Sequence, residues 1–319
     1  MQTFYIGSVG TSSIMNIIQE AISLTDGLET KCIYSRNLER AKEYADSRGI
    51  AEHCSNYTDL LNRDDIDIIY IASPNKLHFE QALKALEAKK HVIIEKPVAV
   101  TRQEVQTLYE KAKENNVFFF EAITTLYMPN YLAFKKLLPS IGKLTKATIN
   151  FGQYSSKYDA YLRGENPNIF NPELQGGALN DMGIYCIHVA INLFGYPNTV
   201  HYDAEKGANG IDLAGKLTLN YSDFVCEIST SKKDAIKSGC FIFGEHGSLT
   251  EDGPLIDFAN CSALINSQNI SINEQPVGNR MIYELQNFRN AILNHDEAFF
   301  EASSAQSIAA ASILEAARL

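Results

Sequence analysis

The first 122 residues alternate between short apolar runs and longer amphipathic stretches, and nothing else in the chain restricts its fold as strongly. The runs "TFYIGSV", "ETKCIYS", "DIDIIYIAS", "HVIIE" and "VFFFEA" read as strands. Between them, "SSIMNIIQEAISL", "NLERAKEYADSRG", "KLHFEQALKALEAKK" and "TRQEVQTLYEKAKENN" read as helices. Gly49 closes the second helix as a left-handed cap would. Thr101 and Glu104 open the fourth at capping-box spacing. His91-Val92-Ile93-Ile94 is apolar without alternation, the pattern of a strand covered on both faces. Strand–helix–strand order of this kind predicts a parallel, doubly wound sheet with right-handed crossovers.

The pattern changes after about residue 140. "TKATINFGQYSS" alternates strictly, with Ala147, Ile149 and Phe151 on one face. "KLTLNYSDFVCEIST" reads as a hairpin turning at Ser222-Asp223, and further strands are expected in "CFIFGEHGSLTED" and "LIDF". A helix over 178–195 interrupts the strands, and two more are expected over 279–294 and 303–317. The expectation is an α/β domain over 1–122 and an α+β domain over 123–319 with a large, mainly antiparallel open sheet. The C-terminal helix is expected to pack back on the first domain. A chain of 319 residues exceeds the usual single core, consistent with two.

Composition excludes several classes of function. A formal charge of −10 and a pI near 5.2 leave nothing to neutralise a run of phosphates, so nucleic acid is not an expected partner. No apolar run approaches the roughly 20 residues that span a bilayer. "MQTFYIGSVG" lacks the basic region and cleavage site of a secretory signal. The six cysteines are scattered, with no C-x-x-C pair and no metal-ligand spacing, so they read as reduced thiols of a cytoplasmic protein, with no metal site expected.

Four strand ends in the first domain carry candidate ligand-binding residues. "YIGSVGTSSIM" places Gly7, Gly10, Thr11, Ser12, Ser13 and Ile14 between a strand and a helix, where a dinucleotide's pyrophosphate meets backbone N–H groups. Counted from Gly10, serine and methionine stand where the usual second and third glycines belong. Context therefore carries this reading more than the motif does. The second strand ends in Ser35 and Arg36, with Arg40 beyond, where an NAD site would show an acidic residue; this arrangement favours NADP(H) over NAD(H). Ala72, Ser73, Pro74 and Asn75 end the third strand and keep that edge open. His78, in the helix that follows, reads as structural rather than catalytic and is counted with the cofactor-binding candidates at the same edge. Glu95, Lys96 and Pro97 follow "HVII", and the proline ends strand pairing there.

"ASPNKLHFEQALKALEAKKHVIIEKP" and "NPELQGGALNDMGIYCIHVAINLFG" together resemble the Gfo/Idh/MocA family of nicotinamide-dependent oxidoreductases, over nearly the whole chain. The resemblance implies a Rossmann domain followed by an α+β substrate domain. It also makes Lys96 a catalytic-site lysine, with a cis Lys96-Pro97 peptide, and implies a homodimer or higher oligomer. Tyrosine at position 185, in place of the histidine of inositol-type enzymes, is similar to the glucose-fructose oxidoreductase and dimeric dihydrodiol dehydrogenase branch. Gln175 interrupts the usual glycine run, and "EAITTLYMP" departs from the family's aromatic and arginine after Glu121-Ala122.

On the helix from about 178, Asp181, Tyr185 and His188 fall at i, i+4 and i+7 and share a face. Tyr185 is the candidate acid/base, assisted by Lys96. Asp181 and His188 are candidate substrate contacts. The polar, aromatic stretch "SSKYDAYLRGENPNIFNPE" supplies further candidates in Tyr158, Arg163 and Asn168. The expected substrate is a small polyhydroxylated molecule: a sugar, cyclic polyol or trans-dihydrodiol. The rival expectations are a catalytically silent NAD(P)-binding sensor and a glycosidase that retains NAD.

Overall fold

In the computed structural model, which describes residues 2–274 and 278–318, the N-terminal alternation becomes eleven elements. They are β1 (Phe4–Val9), α1 (Ser13–Ser23), β2 (Leu28–Tyr34), α2 (Leu38–Arg48), β3 (Glu52–Cys54), α3 (Tyr57–Leu61), β4 (Ile68–Ile71), α4 (His78–Glu87), β5 (His91–Glu95), α5 (Arg102–Asn115) and β6 (Phe119–Ala122). The strands are parallel in the order β3-β2-β1-β4-β5-β6. Chain order reverses between β1 and β4, which makes the carboxyl ends of those strands the natural ligand crevice. Ile68 to Ile71 and Val92 to Ile94 are fully buried, as their unbroken apolar runs require. Thr101 and Glu104 form the capping box at the start of α5.

β3 and α3 have no counterpart in the sequence reading. β3 is three half-buried residues at the sheet edge, Glu-His-Cys, too short and polar to show a period.

The chain divides into two units: Met1–Ala122 with Gly278–Ile308, and Ile123–Val277 with Ala309–Leu319. The second unit contains α6 (Pro129–Leu137), β7 (Leu144–Gly152), α7 (Tyr158–Leu162), α8 (Ile184–Phe194), β8 (Thr199–Lys206), β9 (Asp212–Asn220), β10 (Val225–Ser231), β11 (Gly239–Gly244), β12 (Gly247–Glu251), β13 (Cys261–Ile265) and β14 (Gln268–Ile272). Its sheet runs β14-β13-β12-β11-β7-β10-β9-β8, antiparallel except for the β7–β10 pair. Ala147, Ile149 and Phe151 are buried on one face of β7, as their alternation requires.

The expected hairpin forms, β9–β10 around Ser222-Asp223, and the strands expected in "CFIFGEHGSLTED" are β11 and β12, which pair with each other antiparallel. "LIDF" is not a strand: Pro254 O accepts from the N–H groups of Asp257 and Phe258 at 2.9 and 3.2 Å, which makes it a turn. β8 and β14 are the edge strands and carry polar sequences, so neither shows a clear apolar period.

α9 (Met281–Asn294) and α10 (Glu297–Ala316) end the chain. The residues of Gly278–Ile308 cluster with the first unit instead of completing an undivided 123–319 domain. α9 packs on α1. Phe288 stacks on Phe120 at 4.7 Å, and Phe300 on Phe118 at 4.8 Å. Among the described residues no helix is long and apolar enough to cross a membrane.

Candidate active site

At the switch point of the first unit, Gly10 has φ +119°, and a Cβ there would lie 2.7 Å from Ala72 O. Only glycine allows the β1–α1 turn to pass this close to the end of β4. Gly10 N–H donates to Tyr34 O at 3.0 Å, which ties the same turn to β2. Ser12 is the N-cap of α1, yet its hydroxyl makes no capping bond and no acidic residue occupies the first turn. An uncapped helix start with free backbone donors favours an anionic group. Thr11, Ser13 and Ile14 line this turn and the helix start, and none of the three is buried. Gly7 serves another purpose. It lies within β1, and a Cβ there would press on Leu60 Cδ1 at 2.9 Å, so its lack of a side chain answers to packing.

Ser35 and Arg36 follow the end of β2, and Arg36 and Arg40 are exposed. Neither arginine forms an ion pair with a protein carboxylate among the described residues. α2 begins at Leu38 with Asn37 as its N-cap, so Arg36 precedes the helix and does not sit one helical turn from Arg40. Asn37 N–H donates to Ser35 Oγ at 3.3 Å, which makes the approach to the helix a tight turn. Two unpaired guanidiniums beside a small hydroxyl residue fit a ribose phosphate.

The β4 and β5 ends are fastened together. His78 is fully buried, with Nδ1 2.8 Å from Pro97 O and Nε2 2.8 Å from Ser73 O. Burial pulls its imidazolium pKa down, and the two carbonyls and Glu121 act against that pull. Ser73 Oγ donates to Gln81 Oε1 at 2.7 Å, and Asn75 begins the short 3-10 turn that leads into α4.

Glu95 is buried and accepts from Tyr70 Oη at 2.9 Å; burial raises its carboxyl pKa. Lys96 follows it, half-buried, and the Lys96-Pro97 peptide is cis. Glu121, absent from the sequence candidates, accepts from Val98 N–H at 3.0 Å and Ser307 Oγ at 2.6 Å. A buried carboxylate with two donors therefore anchors the chain just past Lys96. Its only sequence signal is a glutamate at the end of an apolar strand.

In the second unit, α8 is preceded by a single π turn, Leu179–Gly183. Gly177, at φ +107°, brings the chain against Asp212, whose carboxylate a Cβ would overlap. Asp212 accepts from Leu179 N–H at 2.7 Å and Tyr202 Oη at 2.9 Å, and so holds the start of the helix. Burial raises its pKa, and these two donors oppose the rise.

From Ala178 to Ile191 every residue is buried except Asp181 and Tyr185. His188, grouped with them by helical spacing, is fully buried. The π turn adds a residue to the turn that carries Asp181, so simple α-helical phasing does not describe the accessible face. Tyr185 packs edge-on against Phe151 with ring centroids 5.6 Å apart. Asp181 forms an ion pair with Lys232, a side chain 2 % exposed that the sequence reading did not single out.

Arg163 pairs with Glu165 at 2.8 Å on the surface, and Asn168 is exposed at the head of a 3-10 turn whose Phe170 is buried. Near them a cavity of about 580 Å³ is lined by Tyr161, Glu165, Asn166, Asn171, Glu173 and Asn209, among others, and includes neither predicted residue. Tyr158 stacks with Tyr161 at 6.0 Å beneath this stretch.

Residues 4–122 match the Gfo/Idh/MocA model described as an oxidoreductase family with an NAD-binding Rossmann fold. Residues 132–250 match the Gfo/Idh/MocA C-terminal domain. The uncharacterized oxidoreductase YgjR of Escherichia coli is 36% identical over 287 residues, 90% of this chain and 88% of that one. The scyllo-inositol 2-dehydrogenase (NADP(+)) IolU of Bacillus subtilis is 36% identical over 244 residues, 76% of this chain and 74% of that one. Among solved structures, KijD10, a 3-ketoreductase from Actinomadura kijaniata in complex with NADP and TDP-benzene, has the same fold. Its TM-score is 0.87 at 22% identity, covering 99% of this chain and 97% of that one.

The close approach of Gly10 to Ala72 generates a direct test. Gly10→Ala is expected to destabilise the protein by about 1–3 kcal/mol, the usual range for a strained backbone position. If this turn receives the cofactor's pyrophosphate, NADPH affinity should fall at least ~10-fold, since the turn must move. Thermal unfolding with and without NADPH checks both, and an unchanged melting temperature and affinity would contradict the assignment.

Proposed function

The chain belongs to the Gfo/Idh/MocA family and is an NAD(P)-dependent oxidoreductase; from that premise we propose that it prefers NADP(H) and acts on a CH–OH group of a sugar, cyclic polyol or trans-dihydrodiol, with Tyr185 as acid/base and Lys96 as its electrostatic partner. The observation that carries this reading is the pairing of accessible polar groups on a buried helix. Only Asp181 and Tyr185 reach the surface between Ala178 and Ile191, where a purely structural helix would present neither.

The residues at the strand ends of the first unit fit a dinucleotide. The Gly10 turn and the uncapped start of α1 would receive the pyrophosphate. Ser35, Arg36 and Arg40 would receive the 2′-phosphate. When bound, the nicotinamide supplies the centre that takes or gives a hydride.

The protein's own task is the proton. A carbinol carbon loses hydride only as its hydroxyl proton leaves, and Tyr185 Oη is the proposed acceptor, or the donor in the reducing direction. A free phenol titrates near about 10, so it needs a neighbouring cation to be usable at neutral pH. That part is given to the Lys96 ammonium, which can also polarise the substrate oxygen. Asp181 is read as an acceptor for a second substrate hydroxyl, a group that sugars and polyols carry and simple alcohols lack. Self-association belongs to the same reading, with exposed Phe243 and Leu264, which share one face of β11 and β13, in the surface a second copy would cover.

Two outcomes test the assignment. Lys96→Met should lower kcat by about 10²–10⁴, the range for losing acid–base assistance, while the NADPH dissociation constant changes less than about threefold. Equal losses in turnover and cofactor affinity would remove Lys96 from the chemistry. Arg36→Ala should weaken NADPH at least ~10-fold, as for the loss of one charge-assisted contact, and leave NADH unchanged, as followed by nicotinamide fluorescence. NADH binding tighter than NADPH in the parent protein would overturn the cofactor preference.

A further inference from the structure

Lys232 follows β10 and, among the described residues, is the most deeply buried lysine or arginine, 2 % exposed. Its ammonium meets two groups, the Asp181 carboxylate and the ring of Phe170, whose centroid lies 5.4 Å away. The backbone is held on both sides. Lys232 N–H donates to Leu213 O at 2.8 Å, and Lys232 O accepts from Ser155 N–H at 2.9 Å. The charge is therefore delivered to one place by a fixed strand end, without the freedom of a surface lysine. Lys233 shows the contrast. It is the same residue type one position on, and it pairs with Glu205 and Asp234 on the surface.

Packing alone does not call for a lysine at 232. Removing an ammonium from water costs several kcal/mol, and an apolar side chain of similar length is commonly as stable or more so. What Lys232 achieves that methionine would not is to fix the state of Asp181. That carboxylate is 31 % exposed at the side chain, on a π turn whose other residues, Leu179, Asn180, Met182 and Gly183, are buried. An ionised carboxylate only accepts hydrogen bonds, whereas a protonated one also donates. A lone carboxylate one turn from Tyr185 would also disfavour the tyrosinate form that the proposed chemistry needs. Pairing with an ammonium offsets that field.

We propose that Lys232 is a positioning residue of the reaction: its buried ammonium holds Asp181 as an oriented carboxylate that accepts a hydrogen bond from a second hydroxyl of the substrate. This rests on the reading of Asp181 as a substrate contact. It assigns selectivity for neutral, hydroxyl-donating substrates to a side chain that the substrate itself does not touch. An acidic substrate would meet carboxylate against carboxylate at this point and be rejected.

The test uses the full-length protein with NADPH bound and scyllo-inositol as the probe, its affinity read from the change in bound NADPH fluorescence between pH 5 and 8. In the parent protein this affinity is expected to be flat with pH. Lys232→Met should weaken scyllo-inositol about tenfold or more, the order expected when one partner of a buried charge pair is removed. It should also introduce a pH dependence across the carboxylate range while NADPH affinity stays within about twofold. Lys232→Arg should restore both the affinity and the flat profile. Asp181→Asn should lose affinity without gaining pH dependence, and adding Lys232→Met to it should cost little more. Parent-like affinity and profile in Lys232→Met, or a loss that arginine does not rescue, would overturn the role of Lys232 alone. A parent protein that binds NADPH but neither binds nor oxidises scyllo-inositol, D-xylose or a trans-dihydrodiol would overturn the polyol reading, and this inference with it.

Discussion

The first unit depends on one close approach. The turn after β1 must pass within van der Waals limits of Ala72 O at the end of β4, and that is possible only because residue 10 has no Cβ. The parallel sheet reverses its order at this point, so helices leave the two strands toward opposite faces and a crevice opens between them. α1 then begins beside that crevice without a side-chain cap. The fastening of the β4 and β5 ends by His78, and of the segment after Lys96 by Glu121, keeps the neighbouring strand ends in register with that turn. A loop that drifted by an ångström would forfeit much of the orientation on which hydride transfer depends.

The second unit meets a different demand. An open sheet offers a wide face and little to distinguish one point on it from another. Here a helix start pinned by Asp212, a single π turn and a buried lysine concentrate polar chemistry at Asp181 and Tyr185. Buried charges are poor devices for stability, and their presence along this short stretch makes sense as a means of setting direction and protonation. The same economy is visible in what the helix excludes: His188 is withdrawn into the core, leaving the accessible face to the acid and the phenol.

How much of this could be read from the chain depended on whether the signal was local. The central strands and their helices announced themselves because an unbroken apolar run has few alternatives. The capping box at Thr101 and the hairpin at Ser222-Asp223 were equally plain, since each is written within a few residues. Edge strands β3, β8 and β14 were not, because polar residues that protect an edge also erase its period. "LIDF" misled for the opposite reason: Pro254 imposes a turn on an apolar sequence. The pairing of Asp181 with Lys232 joins residues far apart in the chain through sheet topology, and no spacing rule contains it. Glu121 likewise gains its meaning from Ser307, which only the return of the C-terminal segment to the first unit brings near. The π turn shifted the phase of Asp181 relative to α8, and His188, which simple periodicity placed on the working face, is buried in the core.

The central claim is that hydride leaves a carbinol carbon for the nicotinamide. The most direct measurement incubates the protein with NADP⁺ and scyllo-inositol deuterated at its ring carbons, and follows the label by NMR and mass spectrometry. The account predicts one deuteron at C4 of the nicotinamide for each ketone formed. Product appearing with no deuterium in the released cofactor, or no oxidation of any polyol under these conditions, would contradict it.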